Sequence, residues 1–161
     1  MIIAFSGHRP DKLPDKATGY KLPNPTYIYV CQQLEKTLKE LQPTEAISGF
    51  ALGVDSWAAN ICIKLGIPLT AAIPFLGQEK AWPLKSQQTY HKLLSKAAKQ
   101  VIVCEGSYAA AKMQIRNQWM CDHCDLLIGV WDGSSGGTAN CITYAKSIGR
   151  EIIIINPKEK Q

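Results

Sequence analysis

The sequence predicts an α/β protein with a Rossmann-like, doubly wound and mostly parallel sheet that carries helices on both faces. Short apolar runs of strand length alternate with longer segments of helical period along the whole chain. Three of those runs end in a polar, glycine-bearing turn that leads into a helix, and such turns gather at the carboxyl edge of a parallel sheet. The three turns occupy residues 6–10, 48–55 and 131–138.

Length and composition favour a single domain over residues 1–161, because 46% of the residues are hydrophobic and can form a sizeable core. The formal net charge is +5, and the lysines are spread through the predicted helices and the tail. A solvated surface explains that pattern, and an anion-binding patch is the alternative. No apolar stretch reaches the about 18 residues of a membrane span, and the chain begins in a strand, so we expect a cytoplasmic protein without a membrane partner.

The first half of the chain contains three predicted strands and two helices. Strand 2–6 is followed by a proline-containing polar loop, and Asn24 and Pro25 resemble a helix cap with proline at the first helical position. A helix is therefore expected at 26–41, where apolar residues recur on one face. Further elements follow from the next apolar runs, namely a strand at 44–48, a helix at 54–65 that stops at Gly66, and a strand at 68–73.

The second half begins with an irregular segment at residues 74–85. A loop of about this length is often functional in a compact domain. The next elements are a helix at 86–98, a strand at 101–104, a helix at 109–124, a strand at 126–130, a helix at 137–148 that ends at Gly149, and a strand at 151–155. Right-handed crossovers place the switch point of a doubly wound sheet beside its first strand, so we expect the strand order 3-2-1-4-5-6. That order brings the turns after strands one, two and five to one crevice.

The first turn carries Ser6, Gly7, His8 and Arg9 directly after a strand. Gly7 permits a tight turn, and Arg9 can make a bidentate contact with a phosphate or a carboxylate. His8 can donate to such a group or act as an acid or base near neutral pH. A surface ion pair for Arg9 and a structural hydrogen bond for His8 are the alternatives.

The second turn begins at Ser48 and contains Gly49, Gly53 and Asp55. It resembles a phosphate turn of the dinucleotide kind, although its spacing is not GxGxxG and it has no Walker lysine. Asp55 either caps the following helix or faces the crevice, where it can bind a ribose hydroxyl or polarise a water molecule.

The remaining candidate residues lie on and before the last two helices. Arg116 and Asn117 stand side by side on a helix, where they can reach the strand edge to bind phosphate and base or can form an exposed face. The last turn places an acid, hydroxyl groups and backbone donors at a helix start, at Asp132, Ser134, Gly136, Gly137 and Thr138. Two adjacent glycines cost backbone entropy that a plain loop does not require, which favours a functional turn.

The six cysteines are expected to be free thiols that act as small buried hydrophobes. Cys121 and Cys124 form a CxxC pattern with His123 inside it, but no second ligand pair stands at a zinc spacing. Packing therefore explains the pattern better than a metal or a redox pair. We expect no metal and no cofactor.

Four motifs in this order are similar to those of the SLOG superfamily and, more narrowly, of its DUF1273 or YpsA-like branch. They are Ser6–Pro10, Gly53–Ala58, Arg116–Met120 and Trp131–Thr138. A more distant likeness extends to the LOG hydrolases and to the DprA proteins. The resemblance implies a Rossmann-like fold, a pocket for a nucleotide or a nucleotide-derived ligand such as an ADP-ribose derivative, and a homodimer.

Three functions are compatible with this resemblance. The first is a sensor or sequestering module that binds the ligand without turnover. The second is an N-glycosidic hydrolase of nucleoside monophosphates with Asp55 or Asp132 as catalytic carboxylate; the LOG motif PGGxGTxxE has a catalytic glutamate, whereas residues 133–141 here contain no acid. The third is a DprA-like nucleic-acid binder, although the dispersed charge leads us to expect no nucleic-acid partner.

Overall fold

The computed structural model describes residues 1–14 and 23–159, and within those ranges six strands alternate with five α-helices. The strands are β1 (Ile2–Gly7), β2 (Glu45–Ser48), β3 (Leu69–Ile73), β4 (Lys99–Ile102), β5 (Leu126–Val130) and β6 (Glu151–Ile155). The helices are α1 (Pro25–Leu41), α2 (Val54–Lys64), α3 (Leu84–Leu94), α4 (Ala110–His123) and α5 (Gly137–Ser147). A short 3-10 turn, Pro10–Lys12, lies in the predicted first loop, whose residues 15–22 are outside the described ranges.

All strand pairings are parallel, and the sheet has the order β4-β3-β2-β1-β5-β6. The Rossmann-like class is thus confirmed, but the predicted strand order 3-2-1-4-5-6 is wrong, because β4 pairs with β3 and not with β1. Exposed Lys99, Gln100 and Ile102 suit an edge strand. In contrast, β5 is buried along its whole length and lies between β1 and β6, as a central parallel strand requires.

The helices form two layers, one on each face of the sheet. Buried side chains of α1, α2 and α3 pack on one face, and those of α4 and α5 pack on the other. From β1 to β4 the chain steps in one direction, and it then crosses back to β5 and β6, so right-handed connections require the second set of helices on the opposite face. The reversal places the switch point between the carboxyl ends of β1 and β5.

The start of α1 agrees with its sequence signals. Asn24 Oδ1 accepts a hydrogen bond from the N–H of Tyr27 at 2.9 Å, and Pro25 occupies the first helical position. Val30, Leu34 and Leu38 form its buried face. None of the helices in the described ranges is long and apolar enough to cross a membrane.

Candidate functional site

Two glycines bring the first and second turns into direct contact. An added Cβ at Gly7 would lie 2.5 Å from Val54 Cβ, so a glycine is needed for α2 to approach the end of β1. Gly53 has a φ of +86°, and a Cβ there would lie 2.7 Å from the carbonyl oxygen of His8. That same oxygen accepts a hydrogen bond from the N–H of Val54 at 3.5 Å. The start of α2 is therefore closed by the first turn.

Arg116 reaches from α4 beneath the carboxyl ends of β2 and β3. Its side chain is buried, and Nη1 donates to the carbonyl oxygens of Gly49 at 2.8 Å and Ala72 at 3.4 Å. Nε donates to the amide oxygen of Asn117 at 2.9 Å. These contacts with two strand ends make Arg116 an internal anchor of the crevice and not part of an exposed helix face.

Asp55 is the buried carboxylate opposite this guanidinium. An added Cβ at Gly49 would lie 2.3 Å from Arg116 Nη1 and 2.8 Å from Asp55 Oδ2, so the two groups face each other across this glycine. Burial raises the pKa of Asp55, an effect that the charge of Arg116 opposes, and burial lowers the pKa of Arg116. Ser48 Oγ donates to the main-chain oxygen of Asp55 at 2.8 Å and ties the carboxyl end of β2 to α2.

Asp132 is the second predicted carboxylate, and several donors surround it. His8 Nε2 lies 3.2 Å from Oδ1, and Lys158 Nζ lies 3.1 Å from Oδ2. The N–H and hydroxyl groups of Ser134 also donate to Oδ1. Hydrogen bonds from Ser134, followed by those from Lys158 and His8, hold the pKa of Asp132 well below its usual range. Asp132 thereby joins the ends of β1 and β5 to the segment after β6.

The start of α5 is the open part of the carboxyl edge. Gly136 is the N-cap residue, no side chain caps the helix, and the first turn contains no acidic residue. An added Cβ at Gly133 or Gly137 would meet nothing within 4 Å, and Lys12 Nζ lies 3.6 Å from the Cβ position of Gly136. Thr138 is buried and Arg9 is exposed. This turn therefore combines accessible backbone with a neighbouring cation.

Gln78 and Glu79 were not among the predicted site residues. Gln78 Nε2 donates to the Gly49 carbonyl at 3.1 Å, and Glu79 Oε1 lies 3.5 Å from His91 Nε2. Both side chains are buried, and within the described residues the amide oxygen of Gln78 and Oε2 of Glu79 have no hydrogen-bond partner. The length of the irregular segment after β3 was the only sequence signal that pointed to this loop.

The CxxC segment packs on the sheet face that α4 and α5 cover. Cys121 and Cys124 are buried, while the ring of His123 stacks on Trp119 with centroids 4.0 Å apart. The Sγ atom of Cys121 lies 3.6 Å from that of Cys141 on α5. No three His, Cys, Asp or Glu side chains gather as metal ligands in residues 1–14 and 23–159.

The six-stranded parallel sheet, its switch point and the glycine-bearing turns at its carboxyl edge define an α/β protein of the Rossmann-like class. A family model described as the YspA SLOG family matches residues 3–151, and the chain belongs to that family. The chain is 33% identical over 156 residues to the uncharacterized SPbeta prophage-derived protein YoqJ of Bacillus subtilis, an alignment that covers 83% of this chain and 91% of YoqJ.

Solved structures of DNA processing protein A (DprA) share the fold. The Streptococcus pneumoniae protein has a TM-score of 0.63 and 19% identity, with 96% of this chain and 50% of that chain covered. The Helicobacter pylori protein, whose structure describes a single-stranded DNA binding mode, has a TM-score of 0.66 and 17% identity, with coverage of 97% and 65%. The chain thus spans only half to two thirds of the DprA chains.

Proposed function

We propose that this protein binds a nucleotide or a nucleotide-derived ligand, such as a nucleotide-sugar or an ADP-ribose derivative, as a sensor or sequestering module. The observation that carries the proposal is the uncapped start of α5, where open space lies over Gly133 and Gly137 and Lys12 stands beside Gly136. Free N–H groups and the helix dipole stabilise a phosphate at such a position. Lys12 and exposed Arg9 add positive charge from the neighbouring turn.

The start of α2 has a different role in this proposal. Its first turn contains the buried carboxylate of Asp55, which would repel a phosphate, and the His8 carbonyl lies against its first N–H. We infer that the buried residues Ser48, Gly49, Asp55 and Arg116 hold the floor of the crevice. The phosphate is bound above that floor, at the turn that opens α5.

The test uses AMP and ADP-ribose as probes in titration calorimetry. Gly137→Ala is the informative variant, because the position has open space and an ordinary φ but its methyl group would obstruct a phosphate. We expect an unchanged melting temperature and at least a tenfold loss of affinity. Exposed Thr143 lies on the same helix, and Thr143→Ala serves as the matched control. Wild-type affinity in Gly137→Ala, or no binding of either probe to the parent protein, would refute this site.

Native mass spectrometry of the purified protein would identify a co-purifying ligand.

An N-glycosidic hydrolase is the second candidate, and one observation favours it. The environments of Asp55 and Asp132 shift their pKa values in opposite directions, as is typical of a general acid and an ionised stabilising carboxylate. In this mechanism water cleaves the bond between base and ribose, and Asp132 stabilises the oxocarbenium-like transition state. Incubation with AMP separates the candidates, because a hydrolase releases free adenine and ribose 5-phosphate, whereas a binding module returns AMP unchanged.

Nucleic acid is a third candidate ligand. The single-stranded DNA binding mode described for the H. pylori DprA leans against our expectation that nucleic acid is not a partner.

The cytoplasmic location and the homodimer remain predictions, and sedimentation velocity would measure the oligomeric state.

A further inference from the structure

A groove lies on the sheet face that α1, α2 and α3 cover, away from the start of α5. It runs between the start of α1, the outer side of α2 and the whole of α3, and its volume is about 940 Å³. Pro10 and Gly53 line one end of it, close to the carboxyl edge of the sheet. We name it the α3 groove.

The α3 groove is positively charged. Residues 80–104 contain five lysines and no aspartate or glutamate, although the whole chain has 18 basic and 13 acidic residues. Three of those lysines, Lys85, Lys92 and Lys96, line the groove, and its described lining includes no acidic residue. Lysines that the sequence distributes along a helix and the turn after it are therefore collected along one wall.

The same groove contains four aromatic side chains. Tyr27 and Trp57 form an edge-to-face pair with ring centroids 5.0 Å apart, and Trp82 and Tyr90 form another at 5.4 Å. The two pairs lie on different elements, the first on α1 and α2, and the second at and before α3. Trp57 and Trp82 are only half-buried, so part of each indole remains accessible.

We propose that the α3 groove binds single-stranded nucleic acid, with phosphates along the lysines and bases against the half-buried rings of Tyr27, Trp57 and Trp82. A positively charged groove with interleaved aromatic side chains is the usual way to bind unpaired strands without sequence preference. An acidic peptide would satisfy the lysines but would leave the aromatic rings without planar groups to stack on. The α3 groove is separate from the start of α5 and does not depend on nucleotide binding there.

Fluorescence anisotropy with a labelled oligothymidylate of about 12 nucleotides tests the proposal. The variant K85E/K92E/K96E reverses the groove charge, and K36E/K64E/K146E changes the net charge equally at exposed positions that do not line the groove. We expect at least a tenfold loss of affinity in the first variant and a change below about threefold in the second. The slope of log affinity against log salt falls by about 2, since each lost phosphate contact contributes about 0.7.

Tryptophan fluorescence locates the strand independently. Trp57 and Trp82 line the α3 groove, whereas Trp119 and Trp131 pack on the opposite face. Quenching by the oligothymidylate should be largely lost in W57F/W82F and retained in W119F/W131F.

Four results would overturn the proposal. They are an oligothymidylate that does not bind the parent protein at low salt, an equal loss in both lysine variants, unchanged quenching in W57F/W82F, and a loss in Gly137→Ala, which would place the strand at the start of α5. Binding of polyglutamate but not of the oligothymidylate would assign the groove to an acidic polypeptide. A protein that binds the oligothymidylate but neither AMP nor ADP-ribose would retain the α3 groove and lose the nucleotide site.

Discussion

The carboxylate of Asp55 and the guanidinium of Arg116 face each other across Gly49, beneath the carboxyl ends of β2 and β3. Only 6% of Asp55 and 4% of Arg116 are exposed, and the charge of each group partly offsets the cost of burying the other. The pair joins α2 on one face of the sheet to α4 on the other. It therefore couples the two helix layers at the point where the crevice begins.

A double-mutant cycle measures this coupling. We expect Arg116→Met to lower the free energy of unfolding by about 3–5 kcal/mol, because it removes the hydrogen bonds to the Gly49 and Ala72 carbonyls and the nearby charge that opposes the cost of burying Asp55. Asp55→Asn should cost about 1–3 kcal/mol. The double variant should be less destabilised than the two single effects combined, by about 1 kcal/mol or more in urea unfolding. Additive effects would show that the two groups act independently.

The lack of space around Gly49 predicts that a larger residue there would clash with Arg116. In Gly49→Ala the new methyl group would lie 2.3 Å from Arg116 Nη1, so we expect a loss of about 2–3 kcal/mol through overpacking. Gly137→Ala is the matched glycine control, since nothing lies within 4 Å of its Cβ position. Thermal unfolding of both variants checks the prediction, and similar melting temperatures would contradict it.

Asp132 predicts a pH-dependent contribution to stability. Its pKa is lower in the folded protein than in the unfolded chain, so its contribution is fully present above the unfolded value of about 3.9 and is lost as the pH falls towards the folded value. Asp132→Asn should cost about 1–3 kcal/mol at neutral pH, and the difference from the parent should shrink below about pH 4. Exposed Asp11 provides the control variant, Asp11→Asn. A difference that stays constant down to pH 3 would argue against an ionised, hydrogen-bonded Asp132.

The burial of the cysteines predicts the order in which they react with a thiol reagent. Cys62, Cys121, Cys124 and Cys141 are buried, and Cys31 and Cys104 are half-buried. Burial raises the pKa of Cys31 to about 11, which keeps its thiol protonated and slow to react. Cys104 should therefore react first with a thiol reagent in the native protein, and peptide mapping would show it. Cys104→Ser should abolish the fast phase, and a fast phase that persists would assign it to another cysteine.

Local patterns in the sequence predict most elements of this fold. The bounds 126–130 and 151–155 agree with β5 and β6, because short runs rich in Leu, Ile and Val identify strands, whether they lie inside the sheet like β5 or at its edge like β6. The Asn24 and Pro25 signals locate the start of α1 to within a residue. The position of β4 in the sheet does not follow from such patterns, because they do not show whether β4 or β5 pairs with β1.

The candidate site follows from the sequence only in part. Turns at the ends of β1, β2 and β5 do meet at one edge, since parallel strands of one sheet share that edge. Lys12 and Lys158 were not singled out, because their contacts with that edge arise from chain segments without a motif. The lysines of the α3 groove are spread along the sequence, and sequence spacing does not show which side of a helix borders a cavity.

The pairing of β1 with β5 also governs when this protein can fold during its synthesis. The N–H of Ile2 donates to the carboxylate of Asp125, which is 123 residues away in the sequence. Until the ribosome has released β5, β1 can pair only with β2, and its other edge offers unpaired backbone groups to any extended chain. Contacts of such long sequence separation slow folding, so nascent chains that end before residue 126 should be the most prone to aggregate. The last third of the chain therefore supplies the second neighbour of β1, and the sheet around β1 is complete only after β5 has been synthesised.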